Sequence, residues 1–415
     1  MSHCPSPASP AGAVALEAEA AQVRQAMVRR LEEQKVLTDP LLREALLSVR
    51  REVLLPRAYV RRDAGYPEPV VLELLDGAHP DDRREWLELI YSGASVLAQR
   101  DGEALGGQVR GRVRGGRITS AASVVSMTVQ MLQDLRLRAG LSYLELGAGP
   151  GYSAALAARV LGAGRVTAVE RDAEMASAAA RRLTALGLEV DIVAGDGLDG
   201  HLGRAPFDRI AFAFSVPYLP VKVVEQLAED GLMLAHLTAD SPSWPGLVTV
   251  RKAGGRLEAS VCGSRLSHVP VHGYSWVSLH RHKQRVGAES GRRRAGSVLP
   301  PPDAACGFWL ALAHLVPGLV RDFAAERLTL VAPREDSWAV VGLDGDVEEV
   351  GSRPVWDEVC EVYARWERAG RPEEYQLELV ADGRQYVTAG AGAAVLEWEL
   401  PMPVGSVDDS ERGTR

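Results

Sequence analysis

Cysteine is scarce in this chain, and its placement excludes more than its number does. Cys4, Cys262, Cys306 and Cys360 are scattered, with no CxxC pair. That spacing argues against a disulfide framework or a clustered zinc site, and reads as reduced thiols of a cytosolic protein. Lysine is scarcer in proportion. It occurs only at Lys35, Lys222, Lys252 and Lys283, so nearly all positive charge is arginine. The formal net charge is -8, which gives no electrostatic reason to expect nucleic acid or an anionic membrane as partner. Apolar runs of the roughly 18 residues needed to cross a bilayer are missing, so no membrane span is expected. The Ala-rich stretch from Ala11 to Ala21 is interrupted by Glu17 and Glu19, which excludes a signal peptide there. What remains is an ordinary globular composition, 46% apolar and 25% charged over 415 residues. A chain of that size buries more than one core.

Along the chain the pattern divides. Residues 1–12 are rich in Ser, Pro and Ala and read as disordered. A helical region follows over 13–63, with Val23, Met27 and Leu31 on one face and Asp39-Pro40 opening a second helix. Residues 64–116 are mixed, with short strands and a helix. From 117 to 282, strands alternate with helices, which implies a mostly parallel sheet. Two alternating runs around Gly254-Gly255 read as a hairpin. The basic, Pro-ended stretch 283–302, with Arg292–Arg294, reads as a solvated linker. Residues 303–403 read as a smaller α+β domain, and 404–415 as a disordered tail. Trp86, Tyr91, Trp309, Trp338 and Trp356 are expected in cores.

One motif carries chemistry. Leu144-Glu145-Leu146-Gly147-Ala148-Gly149-Pro150-Gly151-Tyr152 ends a predicted strand and opens a predicted helix. Its glycines let the backbone turn tightly and approach a ligand. Glu170 ends the next strand, where a carboxylate accepts from ribose hydroxyls. The strand after that ends in Gly195-Asp196-Gly197, and Asp196 is placed to accept from an adenine amino group. Taken singly, these are a tight turn, a surface carboxylate and an Asp-Gly turn. In order, at three successive strand ends, they point to a bound nucleoside. The spacing GxGxG differs from the GxGxxG of dinucleotide oxidoreductases. That weakens a nicotinamide reading.

With these motifs in view the chain resembles the protein-L-isoaspartate O-methyltransferase family, over about residues 36–282. Ser48–Pro56 (SVRREVLLP) is similar to that family's Val-Pro-Arg-x-x-Phe-Val-Pro element, with Arg50 in place of Pro. Gly115–Ser123 (GGRITSAAS) is similar to its substrate loop, and Leu144–Gly162 to its donor-binding loop. Gly195–Pro220 and Gln226–Leu234 match two further blocks. The resemblance implies a doubly wound α/β methyltransferase sheet (Rossmann-like) with an N-terminal helical cap, an insertion and a smaller C-terminal α+β domain. It implies S-adenosylmethionine as methyl donor, leaving as S-adenosylhomocysteine. The donor would be held by Glu145, Gly147, Ala148, Gly149, Gly151, Tyr152, Glu170, Arg171, Asp196 and Gly197. Ser120 stands where the family has its active-site serine, with Thr119 as fallback donor. Read locally, Thr119-Ser120 precede a predicted helix and would serve equally as a cap. The implied acceptor is a carboxylate, ionised at neutral pH because its ordinary pKa is near ~4. Such an acceptor needs orientation rather than a base.

The chain also departs from the family. The usual Ser-x-Pro is Ser120-Ala121-Ala122. The stretch between Tyr59 and Ser120 is longer by about forty residues, beyond ordinary loop lengths. Much of the chain lies after 282. These departures resemble the divergent members found beside ribosomally made peptides, which methylate one Asp of a modified, often macrocyclised, precursor and lead to aspartimide or isoaspartate. The sequence-based expectation therefore favours a selective peptide methyltransferase. General isoaspartate repair is the alternative, and a non-catalytic nucleoside-fold binding protein the third reading. The expected partner is an Asp-containing peptide or protein, with no nucleic acid and no membrane. Oligomeric state is left open.

Overall fold

The structure is a computed structural model that describes residues 10–401 apart from 64–68, 240, 242–243, 273–284, 287–288, 297, 325–326, 391 and 393. By packing, the chain forms two compact units. The first holds the described residues up to Ala213 together with Glu225–Met233, and the second holds Phe214–Val224 and the residues from Leu234 onward. Of the ends expected to be disordered, 1–9 of residues 1–12 and all of 404–415 lie outside the described residues, whereas Pro10 already begins a helix.

In the first unit, three helices open the chain: α1 (Pro10–Glu33), α2 (Pro40–Ser48) and α3 (Arg51–Leu54). Asp39 caps α2, its carboxylate accepting from Leu41 N at 2.7 Å, and Pro40 sits in the first turn. That is the start signal the sequence shows. Next come β1 (Arg57–Arg61), β2 (Val71–Asp76), α4 (Arg83–Ile90), β3 (Val96–Arg100), β4 (Gly111–Arg114) and β5 (Ile118–Ala122). These strands form one antiparallel sheet in the order β4-β2-β1-β3-β5. Tyr59, Leu72 and Leu74 make its small core, with Val70, Leu97, Val113 and Ile118 packed on it. The mixed stretch 64–116 is thus the middle of a sheet whose first and last strands lie outside those bounds.

The nucleoside-type sheet follows. Helix α5 (Val125–Asp134) leads to β6 (Tyr143–Leu146), α6 (Tyr152–Leu161), β7 (Val166–Glu170), α7 (Ala173–Ala185), β8 (Val190–Ala194) and β9 (Phe207–Val216). Strands β8, β7, β6 and β9 lie side by side in that order, and every one of these pairings is parallel. The chain moves outward from β6 to β8 and then returns to the other side of β6. Strand order reverses at β6, which is where a doubly wound sheet opens a crevice beyond its carboxyl ends. All four residues of β6 are buried, as expected of a strand covered on both faces. After β9 the chain passes through α8 (Val221–Val224), which belongs to the second unit, and β10 (Leu227–Leu237), whose first residues to Met233 belong to the first.

The second unit contains β11 (Gly246–Ala253), β12 (Arg256–Gly263), β13 (Arg292–Ala295), α9 (Cys306–Leu315), β14 (Val320–Ala324), β15 (Arg327–Ala332), β16 (Ser337–Gly342), β17 (Asp346–Val350), α10 (Val355–Arg368), β18 (Glu374–Leu379), β19 (Gln385–Ala389) and β20 (Leu396–Glu399). The expected hairpin is present: β11 and β12 pair over eight positions, turning at Gly254 and Gly255 with φ of +58° and +72°. The packing division does not fall at 283–302, because β12 pairs with β18 and so joins the C-terminal strands to the hairpin's sheet. A second sheet runs β13-β17-β16-β15-β14. Arg292–Arg294, read from sequence as a solvated linker, form the strand β13. Arg293 pairs with Glu348 and Arg294 with Glu349 and Asp357. The acidic partners lie more than fifty positions away in sequence, beyond the reach of any local pattern. Trp86, Tyr91, Trp309, Trp338 and Trp356 are buried, as expected of core residues.

Candidate active site

The glycine loop closes on the end of β7. Gly147 N and Ala148 N both donate to the Val169 carbonyl, at 2.8 and 3.1 Å, and Gly151 N donates to Ala148 O at 2.9 Å. Gly149 and Gly151 hold φ of +51° and +88°, a region that costs an L residue about 1–2 kcal/mol. Space restricts both as well. A methyl added to Gly151 would stand 3.2 Å from Leu183 Cδ1, and one added to Gly149 would stand 3.4 Å from Ala121 O and 3.6 Å from Ser120 Oγ. The loop therefore lies directly against β5, the strand that carries Ser120.

Glu170 locks the loop from the next strand. Its Oε2 accepts from Gly149 N at 2.7 Å and its Oε1 from Asp172 N at 3.0 Å. Each carboxylate oxygen has a further lone pair, so Glu170 retains capacity for hydroxyl donors. Asp196 is exposed, and its carboxylate accepts from Leu198 N at 2.9 Å in the turn after β8. Gly197 beside it is buried, while Arg171 is exposed.

Ser120 is not a helix cap. It sits within β5, paired with Gln99 of β3, and the cap position of α5 is Val124 with no side-chain capping bond. Its Oγ is buried without a hydrogen-bond partner. Thr119 is placed differently. Its hydroxyl donates to Gln99 Oε1 at 2.9 Å and accepts from Gly102 N at 3.0 Å, so it is spent on the antiparallel sheet. The structure brings Ser120, and not the Thr119 hydroxyl, to the glycine loop. Gln99, unnoticed in the sequence, ties this strand to the loop region by donating to Asp172 Oδ2 at 3.0 Å.

Glu145 lies fully buried under the loop. Tyr143 Oη donates to its Oε2 at 3.0 Å, and its Oε1 has no partner. Burial pushes its carboxyl up to about 7. Tyr152 begins α6, with its hydroxyl buried and unpartnered. Its ring carries the guanidinium of Arg51, 4.5 Å from the centroid. Arg51 is fully buried, and none of its three side-chain nitrogens has a hydrogen-bond partner. Sequence reading missed Arg51. The signal was a charged pair, Arg51-Glu52, inside an apolar stretch.

Buried polar groups are ordinarily hydrogen-bonded. Around this one loop, Arg51, Ser120, Glu145 and Tyr152 all keep buried polar atoms without partners among the described residues. Such a concentration fits a polar ligand that completes them, and a glycine cradle between two acidic strand ends fits a nucleoside. Among the described residues no helix is long and apolar enough to cross a membrane.

Parts of the chain match known proteins. The family model for protein-L-isoaspartate(D-aspartate) O-methyltransferase matches residues 111–273. A protein-L-isoaspartate O-methyltransferase of Methanococcus maripaludis (strain C5) is 40% identical over 137 residues, 32% of this chain and 63% of that protein. Protein-L-isoaspartate O-methyltransferase 2 of Archaeoglobus fulgidus is 35% identical over 168 residues, 40% of this chain and 74% of that protein. A solved structure titled protein-L-isoaspartate O-methyltransferase aligns over 90% of this chain and 99% of its own, at 19% identity and a TM-score of 0.47. The chain spans somewhat under two thirds of the first of these relatives.

Proposed function

This chain belongs to the protein-L-isoaspartate O-methyltransferase family, and we propose that it is an S-adenosylmethionine-dependent carboxyl O-methyltransferase acting on isoaspartyl residues of proteins or peptides. The observation that carries the reading is the unpartnered Ser120 hydroxyl, buried against a glycine loop that Glu170 locks. When bound, S-adenosylmethionine supplies an electrophilic methyl group on a sulfonium sulfur. Glu170 would accept from the ribose hydroxyls, Asp196 would accept from the adenine amino group, and the loop from Gly147 to Gly151 would hold the donor between them. Ser120 donates to one oxygen of the acceptor carboxylate and so orients the other. That oxygen is already anionic, so no side chain has to remove a proton. The methyl–oxygen bond forms as the methyl–sulfur bond breaks, leaving an ester and a neutral thioether. The neighbouring backbone amide nitrogen then displaces methanol to close a succinimide, which water opens.

The test is transfer of labelled methyl from S-adenosylmethionine to an unstructured isoaspartyl peptide. Ser120→Ala is expected to lower kcat/KM roughly 10- to 100-fold, the worth of a hydrogen bond to a charged group, with S-adenosylhomocysteine affinity unchanged. Full activity of that variant would remove Ser120 from the role.

A narrower substrate, a single Asp of a modified or macrocyclised peptide, is a second reading. It is favoured by the residues 64–116, which supply β2, β3 and β4 of the sheet on whose end strand Ser120 lies. Methylation of an Asp-bearing macrocycle in preference to the isoaspartyl peptide, followed by loss of methanol in the mass spectrum, would establish it. Preference for the isoaspartyl peptide assigns the chain to repair.

A further inference from the structure

Among the described residues Arg51 is a buried cation without a counter-ion. The adjacent carboxylate, Glu52, is directed elsewhere: it accepts from the Tyr91 hydroxyl and pairs with Arg24 at 3.4 Å. Arg24, Arg51 and Glu52 are all buried, so this cluster holds two guanidiniums and one carboxylate. The side chains that act on the Arg51 charge are the phenols of Tyr152 and Tyr91, neither of them an anion at neutral pH. Desolvation holds the Arg51 guanidinium below its ordinary value. Buried charges are normally paired or hydrogen-bonded, and an unpaired one is among the costliest groups a fold can keep. A persistent one marks a place that a ligand completes.

The ligand chemistry follows from the position. The Arg51 guanidinium lies on the ring of Tyr152, the first residue of the ten-residue helix α6 and the residue that ends the glycine loop. The first amides of a helix point outward and favour negative charge. A planar fork of donors beside a helix start is suited to a carboxylate. Two carboxylates belong to the reaction proposed above, that of the donor's amino-acid portion and that of the acceptor. Glu170 takes the ribose at one end of the glycine loop, and Arg51 stands at the other. Ser120, the acceptor's residue, meets the loop at Gly149, the residue whose amide Glu170 also holds, whereas Arg51 stands three residues on, at Tyr152.

We propose that Arg51 is the carboxylate anchor of the methyl donor, pairing with the α-carboxylate of its amino-acid portion where the glycine loop enters α6. The inference rests on the donor assignment made under the proposed function. Arg51 is a binding residue: it fixes the amino-acid end of the donor so that the sulfur lies along the loop, and it does not touch the transferring methyl.

The experiment is calorimetric titration of the full chain with two neutral thioethers, S-adenosylhomocysteine and 5′-methylthioadenosine. The second keeps adenosine and sulfur but lacks the amino-acid portion. Arg51→Met is expected to weaken S-adenosylhomocysteine roughly 10- to 100-fold and to leave methylthioadenosine within about twofold. Arg51→Lys, which retains the charge but not the fork, is expected to lose part of that affinity. A second readout separates binding from structure. Removing an uncompensated buried charge is expected to raise the melting temperature of the ligand-free protein, whereas removing a structural arginine lowers it. If both ligands weaken equally, or if S-adenosylhomocysteine binds the Met variant as it binds the native chain, the anchor assignment fails. Unchanged S-adenosylhomocysteine affinity with a raised KM for isoaspartyl peptide assigns the guanidinium to the acceptor's carboxylate instead. Failure of the native chain to bind either thioether would overturn the donor site itself, a different result from a native chain that binds both and a variant that does not discriminate.

Discussion

Glu145→Gln tests the electrostatics of the loop without touching its shape. In the folded chain the Glu145 carboxyl is pushed up to about 7 by burial, from an ordinary 4.5. Between those values the folded protein keeps a proton that the unfolded chain has released. Stability from this group is therefore fully present below 4.5 and is lost as pH rises through 7. Integrated over that window, the loss is about 3 kcal/mol. Glutamine has nearly the same shape, can still accept from Tyr143 Oη, and never ionises. The variant is expected to match the native chain within about 1 kcal/mol at pH 4.5 and to be more stable by about 2–3 kcal/mol at pH 8. The assay is urea unfolding followed by tryptophan fluorescence from pH 4.5 to 8, read as the difference between the two proteins. The difference is needed because buried histidines act in the opposite direction. Burial pulls His236 and His314 down to about 4, so their contribution is present above 6.5 and lost as pH falls toward 4. A variant-minus-native difference that stays flat across the range would refute a carboxyl held partly neutral under the loop.

Gly151→Ala adds a methyl at φ +88°, 3.2 Å from Leu183 Cδ1; a loss of about 1–3 kcal/mol in thermal unfolding is expected, and no loss would show the loop to be more yielding than described. Glu170→Ala removes the hydrogen bond to the loop at Gly149 N and the one to Asp172 N at the start of α7, and is expected to cost about 1–3 kcal/mol of stability and to weaken both thioethers together, which calorimetry reads directly. His236 and His268 meet through Nδ1 atoms 3.1 Å apart in a buried pair, so His236→Gln is expected to flatten the fall in stability between pH 6.5 and 4; an unchanged acid limb would dissociate that limb from the pair. Arg294→Ala cuts the pairs to Glu349 of β17 and to Asp357 of α10, the latter well exposed, and should cost under about 1 kcal/mol; a larger loss in chemical unfolding would mean that β13 needs these pairs to form.

Several features were legible from sequence because their causes are local. A glycine-rich turn between a buried strand and a helix, an acid at the next strand end and Asp-Gly at the third each declare themselves within a few residues, and β6, β7 and β8 place them side by side as the alternation predicts. The hairpin at Gly254-Gly255 and the Asp39-Pro40 helix start are local in the same way. Other features depend on pairing across long stretches of chain. Ser120 read equally well as a cap or as a site residue until β5 took its register on β3 and lay against Gly149. Arg292–Arg294 read as a solvated run because their carboxylates are supplied by strand β17 and helix α10. The C-terminal strands read as a separate domain because nothing local announces that β18 pairs with β12. Arg51 is the plainest case. Its sequence neighbours place it in an apolar stretch, and only the seating of its guanidinium on the Tyr152 ring, a hundred residues on, shows a charge removed from water and left for a ligand to balance. Backbone preference and hydrophobic period act over a few residues and so can be read from the chain, whereas the burial and pairing of a charge are properties of whatever the fold brings beside it.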